Sequence, residues 1–368
     1  MVFQRKNART IFIISIAFCI LFLLYAACFL TGALYSNYTA KIIHIKREDN
    51  IGTVVDESIL VKISSGKLSG REYWIDSPYD SAFATEIYRA GDAVFIGYNS
   101  ANGTKEMYIS EYDRRWDTFF LLLLLYILVI LVAGKQGILS LCGMLVSVTI
   151  VMIFVIPNIL AGRDPLLLAL LSSLIIIPVT YYLAHGLYKK TTVAVIATFI
   201  TLIVMFALAC LFTYLLRVPS IISTDNTTGY YTSSGSLISV QSFYLAGLVI
   251  GSLAVLNDIT ISQASVVFSL YSANKNLSRR DLFLHAMHVG RDHVASLINT
   301  LLLVYIGTSF PFFLTFVKES SYTGFDISNP LLSVILLQIS VVSIGIILAV
   351  PITTYLATRI IVPHIDVA

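Results

Sequence analysis

Charge is scarce in this chain of 368 residues. Asp, Glu, Lys and Arg together make up 12% of the sequence, 57% is hydrophobic, and the mean hydropathy is +0.84. Soluble domains carry about twice that share of charged residues, roughly 25%. The composition therefore excludes an ordinary soluble domain. It indicates an integral membrane protein whose first partner is the lipid bilayer.

Cysteine is absent from the polar segment, residues 36–116. Cys19, Cys28, Cys142 and Cys210 all lie in apolar segments, and residues 36–116 contain none. This excludes a disulfide framework in the polar segment, and no CxxC pair exists to bind a metal or act in redox chemistry. Runs that combine aromatic and basic residues are also missing, so we predict no nucleic-acid partner despite the net charge of +3.

The first apolar run covers residues 11–34 and follows Arg5, Lys6 and Arg9. It is long enough to cross a bilayer, and no small-x-small cleavage site stands out within it. We therefore predict that residues 1–35 form an uncleaved transmembrane helix rather than a signal peptide.

Residues 36–116 form the polar segment. Short stretches with alternating polarity are separated there by joints rich in Gly and Ser, which predicts a small extracytoplasmic β-barrel or sandwich. The segment has no nucleophile-elbow, metal or P-loop motif, so a structural or docking role is favoured. The predicted strands are Thr39 to Lys46, Ile59 to Ile63, Glu72 to Ile75, Ala93 to Tyr98 and Glu106 to Ser110.

Residues 117–368 read as a multi-pass membrane domain, which brings the total to about eight transmembrane helices. Placing the N-terminus in the cytoplasm also places most Lys and Arg residues of the short loops there, as the positive-inside rule requires. The predicted spans after the polar segment are Phe119 to Ala133, Ile138 to Ile156, Pro165 to Leu183, Thr192 to Leu216, Gln241 to Thr260, His293 to Phe316 and Pro330 to Thr358.

The most distinctive stretch is a predicted helical hairpin at residues 241–311. Ser278, with Asp281 three residues later, resembles a capping box that starts the second arm. Small and polar residues recur at helical spacing along one face of each arm. The first stripe is Gly247, Gly251, Asp258, Ser262, Ser265 and Ser269, and the second is His285, His288, Asp292, Ser296 and Asn299.

Asp258 lies about eighteen residues into its helix, and acids in such apolar surroundings are costly. Three roles are open to it: it binds a cation or a proton during transport, it pairs with Arg291 to steady the hairpin, or it rests in interfacial water.

Two further patterns have less specific meanings. His285, His288 and His293, with Asp258 and Asp292, offer imidazole and carboxylate ligands for a transition metal. Only His285 and His288 share a helix face, however, and a His-Glu-x-x-His motif is absent, so we predict no metal site. Gly247 and Gly251 form a GxxxG pattern that permits close helix packing, either within the chain or between two copies.

Several of these residues carry a resemblance to the YibE/F family of multi-pass membrane proteins. The resemblance implies a bacterial plasma membrane protein and, in some members, an extracytoplasmic β-domain. Asp258, Arg291, Asp292 and Asn299 match the family pattern, whereas the three histidines at 285, 288 and 293 do not. The matching motifs are Asn257-Asp258, the run from Leu270 to Ser278, Gly290-Arg291-Asp292, Asn299-Thr300-Leu301 and Tyr305-Ile306-Gly307.

The functional expectation is a permease or transporter component, not an enzyme, that moves a small solute or ion. The alternative is a non-catalytic scaffold or sensor whose outer β-domain binds a partner or a cell-envelope ligand. The sequence indicates no particular cofactor, and a second copy of the chain or a related membrane subunit is a candidate partner. The expected path residues are Asn257, Asp258, Ser262, Arg291, Asp292 and Asn299.

Overall fold

The structure is a computed structural model, and it divides into two compact units, of which one ends at Gly134 in the sequence and the other continues from Lys135. It describes residues 38–48, 54–80, 88–99, 106–218, 239–311, 313–314, 317 and 330–362. The predicted first span, residues 11–34, lies outside the described residues.

The first unit contains a five-stranded antiparallel sheet, which confirms all five predicted strands. The strand order is β3-β2-β1-β4-β5, and the two end strands, β3 and β5, also contact each other. A 3₁₀ turn, Gly66–Leu68, joins β2 to β3. The strands are β1 (Tyr38–Glu48), β2 (Val54–Ile63), β3 (Glu72–Asp80), β4 (Ala93–Asn99) and β5 (Glu106–Tyr112).

Apolar and polar side chains alternate along the strands, so the apolar ones form a small core on one face of the sheet. Ile42, Ile59 and Val61 are among its fully buried members. The register between β1 and β2 shifts between Ile42 and His44. Such a bulge bends a strand, and here it occurs in the strand that pairs with both β2 and β4.

The sheet ends in a tightly bonded ion pair next to the following helix. The Arg115 guanidinium donates two hydrogen bonds to the Asp113 carboxylate, at 2.8 and 2.7 Å, and the Arg115 backbone N–H donates a third at 3.1 Å. The guanidinium also lies over the Phe95 ring, 4.6 Å from its centroid. Hydrogen bonding by Arg115 holds the pKa of Asp113 below its ordinary value of 3.8, although burial opposes the shift.

We expect Asp113→Asn to destabilise the sheet by about 1.5 to 3 kcal/mol at neutral pH, because charge-assisted hydrogen bonds are lost from a buried pair. Because the folded pKa of Asp113 is lowered, the pair's contribution is present above pH 3.8 and is lost as the pH falls through the folded pKa. Hydrogen exchange of residues 93–112, compared between variant and wild type at the same pH, measures the effect. A difference that persists unchanged in strong acid would contradict it.

Helices make up the rest of the described chain. The residues between α1 and α2, Val151–Val155, form a π-helical turn. The helices are α1 (Arg115–Ile150), α2 (Ile156–Leu160), α3 (Pro165–His185), α4 (Lys189–Leu215), α5 (Val240–Ala273), α6 (Arg279–Thr308) and α7 (Pro330–Ile361).

Five helical segments among the described residues are long and apolar enough to cross a membrane. They are Arg115–Leu160, Pro165–His185, Lys189–Leu215, Gln241–Ala273 and Leu332–Ile361. The first was predicted as two spans, and the helix does break at Gly134, whose φ of 56° and ψ of −134° are non-helical. The helix α6, which contains most of the predicted span from His293 to Phe316, is not among the five.

The second unit is a helix bundle with α5 at its centre. This helix contacts α3, α4, α6 and α7, and α7 also packs against α4 and α6. Fully buried apolar side chains such as Leu256 and Ile259 of α5 and Ile346 of α7 form its core.

Local side-chain hydrogen bonds form the turn between α5 and α6, in which Ser278 caps α6. The Ser278 hydroxyl accepts a hydrogen bond from the Asp281 backbone N–H at 3.1 Å and donates one to its carboxylate at 2.6 Å. The Asn274 side chain accepts from the Asn276 N–H at 3.0 Å, which closes the turn before α6. Local side-chain bonds therefore end one arm and start the other.

Candidate functional site

Three buried hydroxyl groups from three helices meet inside the bundle. Tyr181 of α3 shares hydrogen bonds with Thr198 of α4 at 2.5 Å and with Thr260 of α5 at 3.1 Å, and the two threonines are 3.0 Å apart. All three side chains are buried. Burying polar groups in a membrane bundle is tolerated when they bond one another. We call these residues the hydroxyl triad.

An acid lies close to the hydroxyl triad along the chain. Asp258 precedes Thr260 by two residues and is exposed on the surface of α5. His185 ends α3, four residues after Tyr181, and His293 lies on α6. We refer to Asp258, His185 and His293, three ionisable residues of neighbouring helices, as the acid–imidazole cluster.

A buried glutamine holds the hairpin to the last helix. The Gln263 side-chain amide donates hydrogen bonds to the Ala286 carbonyl of α6 at 2.9 Å and to the Thr354 hydroxyl of α7 at 2.7 Å. Gln263 is 1% exposed, so these bonds form away from water. They fix the relative placement of both hairpin arms and α7 just beyond the acid–imidazole cluster.

The close approach of α6 to α5 and α7 beside Gln263 depends on Gly290 of α6. A Cβ atom at this position would lie 2.5 Å from Cγ1 of Val350 and 3.0 Å from both amide atoms of Gln263. No real Cβ contact is as short as the first of these, so only glycine fits without a shift of the helices.

Three buried oxygen atoms have no hydrogen-bond partner among the described residues. They are Oγ1 of Thr191 and Thr353 and Oδ1 of Asn257. Asn257 directly precedes Asp258, so the path residue predicted beside the acid carries an unused acceptor. An orphan acceptor is uncommon in a folded interior and marks a place where a donor could bind.

The structure places the predicted path residues in two groups. Asp258 and the half-buried Asn257 and Ser262 follow α5, whereas Arg291, Asp292 and Asn299 are exposed on α6. All five residues of the α6 stripe, from His285 to Asn299, are exposed.

The pairing of Asp258 with Arg291, one of the three roles considered, is not formed. The ion pairs among the described residues are Lys62 with Glu72 and Arg115 with Asp113, and neither includes Asp258 or Arg291.

Gly247 and Gly251 of the GxxxG pattern face other helices of the same chain, whereas His285 and His288 lie on the surface. A Cβ at Gly247 would lie 4.0 Å from the Gln338 side chain of α7, and one at Gly251 would lie 3.8 Å from the Tyr305 hydroxyl of α6. Both contacts are within the chain. His285 and His288 are exposed, and no group of three His, Cys, Asp or Glu side chains within the described residues could hold a metal ion.

A family model described as YibE/F-like protein matches residues 121–363. The chain belongs to this family. No curated protein matches the chain, and no solved structure does. All residues of the hydroxyl triad and the acid–imidazole cluster lie inside the matched region, whereas the strands β1 to β5 precede it.

The residues from α3 and α4 were missed by the sequence reasoning. His185 follows Tyr181 by four residues, so both lie on one face of α3, and this spacing was the available signal. Thr198 and Thr260 carried no signal in the sequence, because single threonines are common in membrane helices. Only the packing of the YibE/F-like bundle brings these two together.

Proposed function

We propose that this YibE/F-like protein is a membrane permease or transporter component that moves a small solute or an ion. The observation that carries the proposal is Asp258, an acid on a membrane-crossing helix, whose neighbour Asn257 has a buried side-chain oxygen without a hydrogen-bond partner among the described residues. Ionisable groups inside membrane bundles are expensive and mark substrate or ion pathways. The protein is not an enzyme in this proposal.

The path runs along the hairpin. Asp258 and Asp292 bind charge, and Asn257, Ser262, Arg291 and Asn299 supply polar groups beside them. Because α5 contacts both α3 and α6, a change of charge at Asp258 favours one of two packings of the hairpin. Alternating access requires two such packings, one open to each side of the membrane.

The proposed setting is a bacterial plasma membrane with the N-terminus in the cytoplasm. Eight crossings result when residues 11–34, the two halves of α1 on either side of Gly134 and the helix α6 are counted as spans. The strands then lie outside the cytoplasm. The contact between β3 and β5 favours closure of the sheet into a barrel. A second copy of the chain or a related membrane subunit remains the proposed protein partner.

A thermal-shift screen against ions, metals and small metabolites tests the proposal, because a ligand that binds only the folded protein raises its apparent stability. We expect at least one ligand to stabilise the wild-type protein and to lose its effect in Asp258→Asn. A hit that stabilises both proteins equally places its site elsewhere, and the absence of any hit favours a scaffold.

A second candidate function, a sensor of cell-envelope carbohydrate, is favoured by the outward face of β1 to β3. Trp74 is 56% exposed there, and its ring meets that of His44 at 6.5 Å in a T-shaped contact. Groups that can bond hydroxyls flank it, since Asp76 accepts from Ser58 at 2.8 Å and Glu72 pairs with Lys62 at 3.6 Å. A flat aromatic ring bordered by polar groups suits a sugar better than an apolar protein surface.

Only two tryptophans occur in the chain, so Trp116→Phe leaves Trp74 as its sole indole fluorophore. We expect soluble peptidoglycan fragments to change the emission of this variant in a saturable way, because a sugar ring stacked on the indole displaces water. The reciprocal variant, Trp74→Phe, reports only Trp116 and is expected to show no change. Equal responses in both variants, or none in either, would rule out this second function.

A further inference from the structure

We propose that a second copy of this chain covers the exposed face of α6, so that the α6 half of the proposed path lies between two copies. The inference rests on the transport function proposed above, because it explains how path residues that are exposed in one chain become enclosed. The face is a row of six exposed residues at alternating steps of four and three. We call it the α6 seam, and it consists of His288, Asp292, Ala295, Asn299, Leu302 and Ile306.

The opposite face of α6 is the one that packs into the bundle. Leu282, Ala286 and Gly290, at steps of four, are buried there. The Ala286 carbonyl accepts a hydrogen bond from Gln263 of α5, and Gly290 lies against Val350 of α7. The contacts of α6 with its own chain therefore leave the seam uncovered.

The seam lies alongside the membrane-crossing part of α5. Because Gln263 bonds Ala286 and the Cβ position of Gly251 is 3.8 Å from the Tyr305 hydroxyl, the stretch from Ala286 to Tyr305 runs antiparallel beside α5. That part of α5 belongs to a segment long and apolar enough to cross a membrane. The acid and the amide of the seam thus face outward beside a membrane span. Exposure to hydrocarbon is costly for such groups, so a covering partner stabilises them.

The spacing of the seam is that of a two-stranded coiled coil. Steps of four and three place Asp292, Asn299 and Ile306 at a positions. Every copy is inserted with the same orientation, because the same loop charges set it, so α6 of one copy runs parallel to α6 of the other. In a parallel pair a residue at a meets its own copy. The two Asn299 amides then bond each other, each donating an N–H to the other's oxygen.

The seam is also complementary to itself in charge. In a parallel pair, a side chain at d packs against the next a position of the other helix. His288 of one copy therefore lies against Asp292 of the other, where the imidazole N–H donates to the carboxylate, and two-fold symmetry forms this contact twice. The small side chain of Ala295 permits close approach between the two contacts. The apolar run at residues 11–34 has no charged or amide side chain to offer the seam, so a second copy fits it better.

Disulfide cross-linking in membranes tests the seam in the full-length chain. In a parent whose four native cysteines are replaced by alanine, Asn299→Cys and Ala295→Cys should each give, on oxidation, a product of twice the 40.6 kDa of one chain. A disulfide requires Cα atoms within about 7 Å, which the core positions of a coiled coil provide. Thr300→Cys is the matched control, since it is exposed and adjacent but about 100° further around α6. Ile203→Cys, exposed on α4, is a second control, and neither should cross-link.

Particle mass provides a second measurement that needs no engineered cysteine. The wild-type protein in lipid nanodiscs should have the mass of two chains. Ala295→Trp should halve that mass at unchanged helix content, because a bulky side chain at the seam forces the two helices apart. Thr300→Trp should keep the mass of two chains.

The remaining outcomes overturn the inference. Equal cross-linking of Thr300→Cys and Asn299→Cys, or a wild-type particle with the mass of one chain, would leave the seam to lipid. A cross-linked product of another mass would identify a different subunit as the partner. Neither measurement uses a substrate, so the transport proposal is judged separately. Flux through a particle of one chain would refute the pairing alone, whereas a confirmed pair without flux for any ligand would refute transport alone.

Discussion

Asp258→Asn is expected to reduce the flux of the transported ligand to the level of protein-free vesicles while the protein remains folded. Asn has nearly the volume of Asp and keeps an oxygen acceptor, so the exposed side chain on α5 can be replaced without a cavity. It cannot ionise, however, so the negative charge at this position of α5 is lost. The measurement is flux into reconstituted vesicles, with helix content and melting temperature checked on the same preparation.

The control for charge removal is Asp164→Asn, because Asp164 caps α3 through the Leu167 N–H and Asn caps a helix equally well, so this variant should transport at the wild-type rate. Asp292→Asn tests the second acid of the proposed path. Because Asp292 is exposed on α6, a partial loss is expected there, smaller than that of Asp258→Asn. Unchanged flux in Asp258→Asn would remove the acid from the path and would leave the sensor function as the stronger proposal.

Gly290→Ala is expected to produce the largest loss of stability among single-methyl additions to α6. The new Cβ would lie 2.5 Å from Val350 and 3.0 Å from Gln263, in a part of the bundle where the amide of Gln263 is already committed to two hydrogen bonds. Overpacking of this kind costs about 1 to 3 kcal/mol. Thermal unfolding of the purified protein measures the loss.

Gly307→Ala is the matched control on the same helix, because nothing lies within 4 Å of its Cβ position. The gain in helix propensity there is up to about 1 kcal/mol, so this variant should be as stable as the wild type or more stable. Truncating the neighbour in Gly290→Ala/Val350→Ala should recover part of the loss, since it removes the closest atom. Equal stability of the two glycine variants would show that α6 does not pack as described.

The order of elements could be predicted because its signals are local. Alternating polarity marked the five strands, long apolar runs marked most helices, and the pair Ser278 and Asp281 marked the start of α6. Each signal depends on period, length or a bond within three residues, so it survives without knowledge of the fold.

The boundaries of the membrane spans were harder to predict from the sequence. The predicted break between two spans is present at Gly134, yet α1 is otherwise continuous from Arg115 to Ile150. In the sequence, the charge of Lys135 interrupts the hydrophobic run and suggests a break. In the structure, the break lies in the backbone of Gly134, one residue earlier. The charged first half of α6 was likewise recognised as part of the hairpin, but its apolar character is too weak to mark the helix as a membrane span.

By itself the sequence determined the membrane character, the helical hairpin and the presence of an acid at position 258, because composition and periodicity are properties of the chain alone. Only the tertiary structure decided what that acid meets. The α6 stripe that periodicity selected remains exposed, while the buried polar contacts of α5 with other helices are made by Thr260 and Gln263. Which faces of two helices come together depends on packing between residues distant in sequence, such as Gly290 against Val350, and no local pattern encodes that choice.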